Sequence, residues 1–207
     1  MSKKKIIIAV LVAIVAIALG WYFLYFTKTP VYSLNLAREA VEKHDVNAFK
    51  KHVDVDSIIG SGYDDVVAMQ LEDPEIKNNP LKGLAEVMFQ GLKPKIVPIL
   101  SNEIYSAIAK QPESSDQKNA REKQAADEMK EKTGIKDLEF KSIGSATVDG
   151  NSAVVPVTFN SKELNQDVTF NLAMKKLDDG TWQAVKINNF KEFLALVEQH
   201  EKQGKTK

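Results

Sequence analysis

The 207-residue chain contains no cysteine and only three histidines. The absence of cysteine excludes disulfides, a thiolate nucleophile, zinc–thiolate sites and lipid attachment through a cysteine. The chain carries 28 basic and 28 acidic residues, so it lacks the basic excess typical of nucleic-acid binding, and we expect no nucleic-acid partner. It also contains no P-loop, G-x-G-x-x-G, H-E-x-x-H or G-x-S-x-G motif. These absences predict a protein that is not an enzyme and has no cofactor.

One long hydrophobic run is present, and it lies at the N-terminus. From Ile6 to Phe26 the chain has no charged residue, and as a helix this run would extend about 31 Å, close to one bilayer core. The three lysines in residues 1–5 precede it, which predicts a cytoplasmic basic tail and a C-terminal part on the outside. We therefore expect residues 6–26 to anchor the chain in the bilayer of the cytoplasmic membrane as a single-pass transmembrane helix.

A cleaved secretory signal is the alternative interpretation of this run. Ala18-Leu19-Gly20 offers the small residues that signal peptidase requires. The aromatic residues from Trp21 to Phe26 continue the run beyond that point and lie where an interfacial belt is expected. We therefore favour an uncleaved signal-anchor, followed by a spacer at residues 27–30.

The chain after the spacer has helical periodicity. Residues 31–44 place apolar side chains on one side and predict a helix. Asp45 is a candidate N-cap for a second short helix, and Asp56 for a third helical turn through Ile58 and Ile59. Gly60-Ser61-Gly62 is expected to loosen the chain after that turn.

A longer helix is predicted to begin at Asn79-Pro80. Because Pro94 and Pro98 lack an N–H group, this helix is expected to end or kink near Leu92. A further helix is expected over residues 101–110. Apolar positions at helical spacing are expected to face the core: Leu81, Leu84, Ala85, Met88, Phe89 and Leu92 in the first helix, and Ile104, Ala107 and Ile108 in the second.

Residues 111–133 form a polar insertion. Their few apolar side chains are mostly alanine, and a helix that is polar all round has no core-facing side. The sequence predicts either a solvated or mobile segment here, or a docking helix at residues 113–132.

From residue 137 onward the hydrophobic period is two, which predicts strands. Asp149-Gly150 and Asp179-Gly180 are typical hairpin turns. Pro156 and a change of phase between Phe140 and Ile143 predict bulging and curvature. Four strands are expected, within residues 138–148, 153–159, 168–174 and 181–188.

A closing helix is predicted after Asn189, which is its candidate cap. Helices, then an antiparallel meander, then a final helix form an α+β layout. We therefore expect several helices packed on a curved four-stranded antiparallel sheet. This gives one extracytoplasmic domain over residues 31–203 and a short tail at 204–207.

Side chains suited to metal binding are present but poorly spaced. His44 and His52 could be imagined as ligands together with Asp54 or Asp56, yet neither they nor His200 has metal-site spacing. Surface histidines and capping aspartates explain them better. A calcium site that also uses Asp64 and Asp65 is disfavoured, because Ile58 and Ile59 stand where an oxygen ligand and glycine are needed.

Catalytic candidates are equally weak. Asp178-Asp179 lies in a hairpin turn, Glu72-Asp73 lies in an ambiguous segment, and Gly60-Ser61-Gly62 is a short fragment of a nucleophile elbow. Trp182 is either the wall of a pocket or a tryptophan at the edge of the core. We assign no catalytic, cofactor-binding or metal-binding residue.

Several short motifs resemble the bacterial family called domain of unknown function 2939. The motifs are Thr29-Pro30-Val31-Tyr32-Ser33-Leu34, Ala40-Val41-Glu42-Lys43-His44-Asp45, Asn79-Pro80-Leu81-Lys82-Gly83-Leu84 and Asp179-Gly180-Thr181-Trp182. The resemblance implies a membrane-anchored envelope protein and transfers no catalytic residue. The layout is also similar to the cone-shaped fold of nuclear transport factor two and its relatives.

Three functions follow as expectations. The first is a non-catalytic envelope domain that binds a small apolar ligand or a partner protein, since a cone-shaped sheet commonly leaves a cavity. The second is a structural or assembly factor of the cell envelope that docks through residues 113–132. The third is a hydrolase built on a cone-shaped pocket. The concave side of the sheet distinguishes these functions: a cavity there favours ligand binding, and packed side chains favour a closed core.

Overall fold

A computed structural model describes residues 12–17, 20–22, 25–109 and 138–204. Its described part contains helices and a five-stranded antiparallel sheet. The predicted α+β class is therefore confirmed, with one strand more than the four expected.

Within the described ranges, six helices follow a short 3-10 turn over Phe26–Lys28: α1 (Pro30–Glu42), α2 (Val46–His52), α3 (Val55–Glu72), α4 (Pro74–Lys77), α5 (Lys82–Ile108) and α6 (Phe190–Gly204). Side-chain caps fix where three of them begin. Thr29 Oγ1 accepts the Tyr32 N–H at 3.2 Å at the start of α1. Asp45 Oδ1 accepts the Ala48 N–H at 2.9 Å, so the predicted cap of α2 is confirmed.

Helix α3 differs from the prediction in its start and its continuity. Its cap is Asp54, whose Oδ1 accepts the Ser57 N–H at 3.1 Å, and not Asp56. The helix also runs without a break through Gly60 and Gly62. A Cβ on Gly62 would lie 3.2 Å from Cε1 of Phe190, so glycine here permits close approach of α6 instead of loosening α3.

Helix α5 is continuous from Lys82 to Ile108, so the predicted end near Leu92 and the predicted separate helix from residue 101 are wrong, whereas the alternative of a kink near Leu92 stays a prediction. Pro94 and Pro98 both lie inside the helix and are exposed. The carbonyl groups that lose a helical partner at these prolines can bind water instead. Before the helix, Asn79 Oδ1 accepts the Leu81 N–H at 2.9 Å, so Asn79-Pro80 forms the entry turn.

The five strands are β1 (Leu138–Ile143), β2 (Thr147–Asp149), β3 (Ser152–Ser161), β4 (Gln166–Lys176) and β5 (Trp182–Ile187). The sheet order is β1-β3-β4-β5, with β2 also paired to β3. The first predicted strand is therefore two short strands that share one edge of β3.

Pro156 explains why this edge strand is split. It lies in β3 opposite the gap between β1 and β2 and has no N–H to donate. Its carbonyl accepts the Gly144 N–H at 2.8 Å. A Cβ on Gly144 would lie 2.7 Å from Cγ of Pro156, so a side chain does not fit there. A register shift between Phe140 and Ser142 confirms the predicted bulge.

One face of the sheet is covered by helices and packed with apolar side chains. Helix α1 covers the first of two core clusters, which contains Leu34, Ala153, Val155, Val157, Met174, Trp182 and Ala184. Helix α6 covers the second, which contains Leu164, Val168, Phe170, Phe190, Phe193, Leu194 and Val197. Phe159 and Leu172 contact both clusters, so the two form a continuous layer. The alternation predicted for β3 and β4 is confirmed.

Asn189 immediately precedes α6, as predicted, but its side chain binds the sheet. Its Oδ1 accepts the Asn171 N–H at 2.7 Å, and its Nδ2 donates to the Thr169 carbonyl at 2.8 Å. The residue therefore joins the start of α6 to β4.

The structure describes only part of the predicted anchor and none of the predicted insertion. No single helix among the described residues is long and apolar enough to cross a bilayer, although Val12–Lys28 and Pro30–Glu42, which meet at 77°, satisfy length and composition together. Residues 6–11, 18, 19, 23 and 24 of the predicted anchor lie outside the described residues, as do the whole insertion 111–133 and residues 205–207. The anchor and the docking helix remain predictions.

Candidate functional site

The histidines considered as metal ligands bind main-chain carbonyls on different elements. His44 Nδ1 lies 2.8 Å from the carbonyl oxygen of Ile108, and His52 Nδ1 lies 3.2 Å from that of Trp182. A carbonyl only accepts, so Nδ1 carries the proton in both rings. His44 and His200 are exposed as predicted, whereas His52 is buried, and its interpretation as a surface residue is wrong.

Three of the acidic candidates, Asp54, Asp64 and Glu72, cap a helix or form an ion pair. Asp54 caps α3, and Asp64 pairs with Lys93 at 2.6 Å; Asp56 and Asp65 also lie on α3. Glu72 at the end of α3 pairs with Lys191 at 3.2 Å. Within the described ranges, no group of three or more His, Asp or Glu side chains could hold a metal ion.

Asp179 is held by groups of its own hairpin and of α2. Its carboxylate lies 2.6 Å from Lys51 Nζ and accepts from the Thr181 N–H at 2.9 Å. The hydrogen bonds from Lys51 and Thr181 lower the pKa of the Asp179 carboxyl far below its usual range. This carboxylate therefore stays ionised and fixes the turn, as the interpretation in terms of turn geometry predicts.

Trp182 belongs to the core and joins three segments to β5. Its Nε1 donates to the Lys28 carbonyl at 2.9 Å, and its backbone N–H donates to Ser33 Oγ at 3.0 Å. Its own carbonyl accepts from His52, and the side chain is 3% exposed. Lys28 Nζ also donates to the Asp179 carbonyl at 2.6 Å. Trp182 is thus a structural junction rather than the wall of a pocket.

The three most exposed large apolar side chains that the structure describes in the domain, together with Met88, form a strip on α5 and its entry turn. Leu81, Leu84, Val87 and Met88, here called the apolar strip, are 64%, 59%, 66% and 48% exposed. At 3.6 residues per turn these four positions lie within an arc of about 120°. The prediction that Leu81, Leu84 and Met88 face the core is therefore wrong.

The strip is exposed because α5 packs on α3 through its other side. Tyr63 of α3 donates through its hydroxyl to the Phe89 carbonyl at 2.7 Å. Asp64 of α3 pairs with Lys93. Phe89 and Lys93 lie on the side of α5 opposite to Val87. The two helices run antiparallel, so the apolar strip occupies the outer side of a helical hairpin.

Three charged residues near the apolar strip, Lys82, Glu86 and Lys93, are on the side of α5 that faces α3. Lys93 pairs with Asp64 of α3, and Lys82 lies 3.7 Å from Glu86 on the same side of α5. The strip itself is bordered by the uncharged residues Gly83, Gln90, Gly91 and Pro94, and by the exposed Lys95, which lies seven residues after Met88 on the same side of the helix. A Cβ on Gly91 would meet nothing within 4 Å, so the surface is open there.

Contiguous exposed apolar side chains on a soluble domain mark sites of interaction more often than single ones do. The apolar strip is therefore the candidate functional site. Its arrangement suits burial of apolar surface and contains no group for acid–base, nucleophilic or metal chemistry.

Comparisons with known proteins gave no match: no family model, no curated protein and no solved structure matches this chain. The resemblance to domain of unknown function 2939 and to the nuclear transport factor two fold therefore remains a prediction.

Proposed function

We propose that this chain is a single-pass protein of the cytoplasmic membrane whose outer domain binds a partner protein of the cell envelope. In this proposal residues 6–26 contact the bilayer, the N-terminus is cytoplasmic, and the domain over residues 31–203 is not catalytic. The observation that supports binding is the apolar strip, four large side chains exposed side by side on α5 and its entry turn.

A protein partner has more support than a small apolar ligand. A small ligand requires a concave site that encloses most of its surface. The helix-covered face of the sheet, where a cone-shaped fold would hold its cavity, is packed with aromatic rings instead. Phe170 lies between Phe159 and Phe193, with ring centroids 5.8 Å and 4.9 Å away in edge-to-face contacts. The apolar strip is convex, so it suits contact with another protein better than enclosure of a small ligand.

The strip is large enough to contribute measurably to binding. Each of its side chains is about half to two thirds exposed, and covering such a residue contributes on the order of 1 kcal/mol. A few apolar anchors of this size dominate many protein interfaces.

Site-specific photo-crosslinking of the full chain in its own membrane tests the proposal. A photoreactive amino acid replaces Leu84 in the strip and, as the matched control, Gln90, which is exposed on the same helix outside the strip. We expect an intermolecular adduct from position 84 and little from position 90. Equal labelling at both positions, no adduct, or only an intrachain adduct at position 84 would overturn the proposal.

A further inference from the structure

The chain contains two Asp-Gly dipeptides, Asp149-Gly150 between β2 and β3 and Asp179-Gly180 between β4 and β5. We infer that Asp149-Gly150 is a modification site, at which Asp149 converts spontaneously to isoaspartate in the folded domain, and that the fold protects Asp179-Gly180 from the same reaction. The site is independent of the proposed function, because it requires neither the membrane anchor nor a partner protein.

The reaction needs only the dipeptide and water. The main-chain nitrogen of Gly150 attacks Cγ of Asp149 and forms a C–N bond, and the carboxyl OH group leaves with the proton of that nitrogen as water. The resulting five-membered succinimide then takes up one water. Opening at Cγ restores aspartate, whereas opening at the main-chain carbonyl carbon gives isoaspartate, in which the main chain runs through Cβ and Cγ. Glycine favours this closure because no Cβ crowds the attacking nitrogen.

Three conditions decide how readily the ring closes. The carboxyl group must be free to turn toward the nitrogen of the following glycine. The peptide group between the two residues must rotate where the backbone is extended, because an extended backbone directs that nitrogen away from the side chain. The carboxyl group must also carry a proton, so that an OH group can leave as water.

Asp149-Gly150 leaves its carboxylate and its peptide N–H free. Within the described ranges, the exposed Asp149 carboxylate has no hydrogen bond or ion pair, and the Gly150 N–H has no main-chain acceptor. A Cβ on Gly150 would meet nothing within 4 Å, so the surroundings do not hinder rotation. Rotation of the peptide disturbs only the pairing of Asp149 with Ser152, the last pair of a three-residue strand.

Asp179-Gly180 is restrained at both reacting groups. The Asp179 carboxylate lies 2.6 Å from Lys51 Nζ and accepts the Thr181 N–H at 2.9 Å. The Gly180 N–H donates to the Leu177 carbonyl at 2.8 Å, so rotation of its peptide breaks a hydrogen bond. Because Lys51 and Thr181 hold the pKa of the Asp179 carboxyl far below its usual range, the protonated form that loses water is rare.

The modification would change the hairpin without unfolding the domain. Isoaspartate places one more carbon atom in the main chain beside the Asp149–Ser152 pair, which shifts the register of β2 against β3. The three side chains of β2 are all exposed, so the core does not depend on them. Modified chains are therefore expected to accumulate with age as folded domains with an altered sheet edge.

Ageing of the purified full chain tests this inference, and the two dipeptides serve as controls for each other. The protein is kept in detergent at mildly acidic pH for several weeks and digested with trypsin, which places the dipeptides in separate peptides, 142–162 and 177–186. Electron-transfer mass spectrometry locates and quantifies isoaspartate in each. We expect peptide 142–162 to contain at least ten times as much isoaspartate as peptide 177–186.

Two controls show whether the fold causes this difference. In chains unfolded in guanidinium chloride, the two dipeptides should react at rates that differ less than threefold. In the folded chain, Lys51→Ala removes one partner of the Asp179 carboxylate and should raise isoaspartate in peptide 177–186 at least twofold. Lys50→Ala is the matched control and should leave it unchanged, because Lys50 Nζ lies over the Tyr105 ring instead. Both changes affect exposed lysines, so the melting temperature should change little.

Each outcome supports or overturns the inference. Comparable isoaspartate in the two peptides of the folded chain would show that the fold does not select between the dipeptides. The absence of isoaspartate from peptide 142–162 of the folded chain, when the unfolded chain forms it, would show that the hairpin protects Asp149 as well. An unchanged peptide 177–186 in Lys51→Ala would remove the assigned role of the carboxylate partners at Asp179.

Discussion

His52 and Trp182 are joined by a hydrogen bond of 3.2 Å from the imidazole Nδ1 to the main-chain carbonyl, across 130 residues of sequence. The imidazole is 4% exposed. Burial lowers the pKa of His52 below its ordinary value of 6.5, and the charge of Lys51 lowers it further, while the Trp182 carbonyl and Asp179 oppose the shift. The neutral form is therefore the one that the fold favours.

Acid should destabilise the domain through His52. Between its pKa in the folded domain and the value near 6.5 in the unfolded chain, the unfolded chain binds more protons. The free energy of unfolding must therefore fall as the pH is lowered from about 7.5 to 5. Urea unfolding at several pH values in this range should show this fall in the wild type.

The variant His52→Gln should flatten that pH dependence, because glutamine can still donate to the Trp182 carbonyl but does not titrate. The Gln90→Ala variant, which changes an exposed side chain that does not titrate, is the control and should keep the wild-type slope. Equal slopes in wild type and His52→Gln would contradict the assignment.

The indole N–H of Trp182 should contribute to stability separately from its ring. Trp182→Phe keeps an aromatic ring but loses the bond to the Lys28 carbonyl, and should cost about 1 kcal/mol. Trp182→Ala also leaves a cavity and should cost about 3–5 kcal/mol. The free energy of unfolding measures both, with the exposed Lys186→Ala within about 0.5 kcal/mol of wild type. A Phe variant as unstable as the Ala variant would mean that the ring contributes little.

Two glycine-to-alanine changes should have opposite effects. At Gly144 a Cβ would lie 2.7 Å from the Pro156 ring, so Gly144→Ala should destabilise by about 1–3 kcal/mol. At Gly83, inside α5, a Cβ meets nothing within 4 Å, so Gly83→Ala should stabilise by about 0.5–1 kcal/mol. Thermal unfolding of the two variants compares them. A stabilising Gly144→Ala would contradict the close contact with Pro156, and a destabilising Gly83→Ala would contradict the open space on α5.

The proposed membrane topology can be measured with single cysteines. Full chains with Ser2→Cys or Gln90→Cys are exposed to a membrane-impermeant maleimide on intact spheroplasts. Position 90 should react at once, and position 2 only after the membrane is opened. Recovery of the Gln90→Cys domain in the soluble fraction would instead indicate cleavage near Ala18-Leu19-Gly20.

Local signals in the sequence determined much of this fold. Period-two alternation located β3 and β4, and the hairpin glycines Gly150 and Gly180 do have positive φ, 57° and 80°. Pro156 predicted an irregular strand, because the lack of an N–H group is a property of the residue itself. Caps such as Asp45 are equally local, since donor and acceptor are three residues apart.

The features that sequence reasoning missed depend on distant partners. Helical spacing correctly grouped Leu81, Leu84 and Met88 on one side of α5, but spacing does not say which side meets a neighbour. The side was decided by α3, through Tyr63 and Asp64. The burial of His52 likewise depends on Trp182, and no local pattern encodes that contact.

The junction at Trp182 also has a mechanical consequence. The chain reaches the domain through Lys28, whose carbonyl and ammonium groups are both bonded to the hairpin between β4 and β5. Thr29, the next residue, caps α1, so no linker separates Lys28 from the folded core. In an anchored protein, a torque applied to the N-terminal segment would pass straight into the sheet. The domain would then rotate together with its anchor instead of moving independently on a flexible linker.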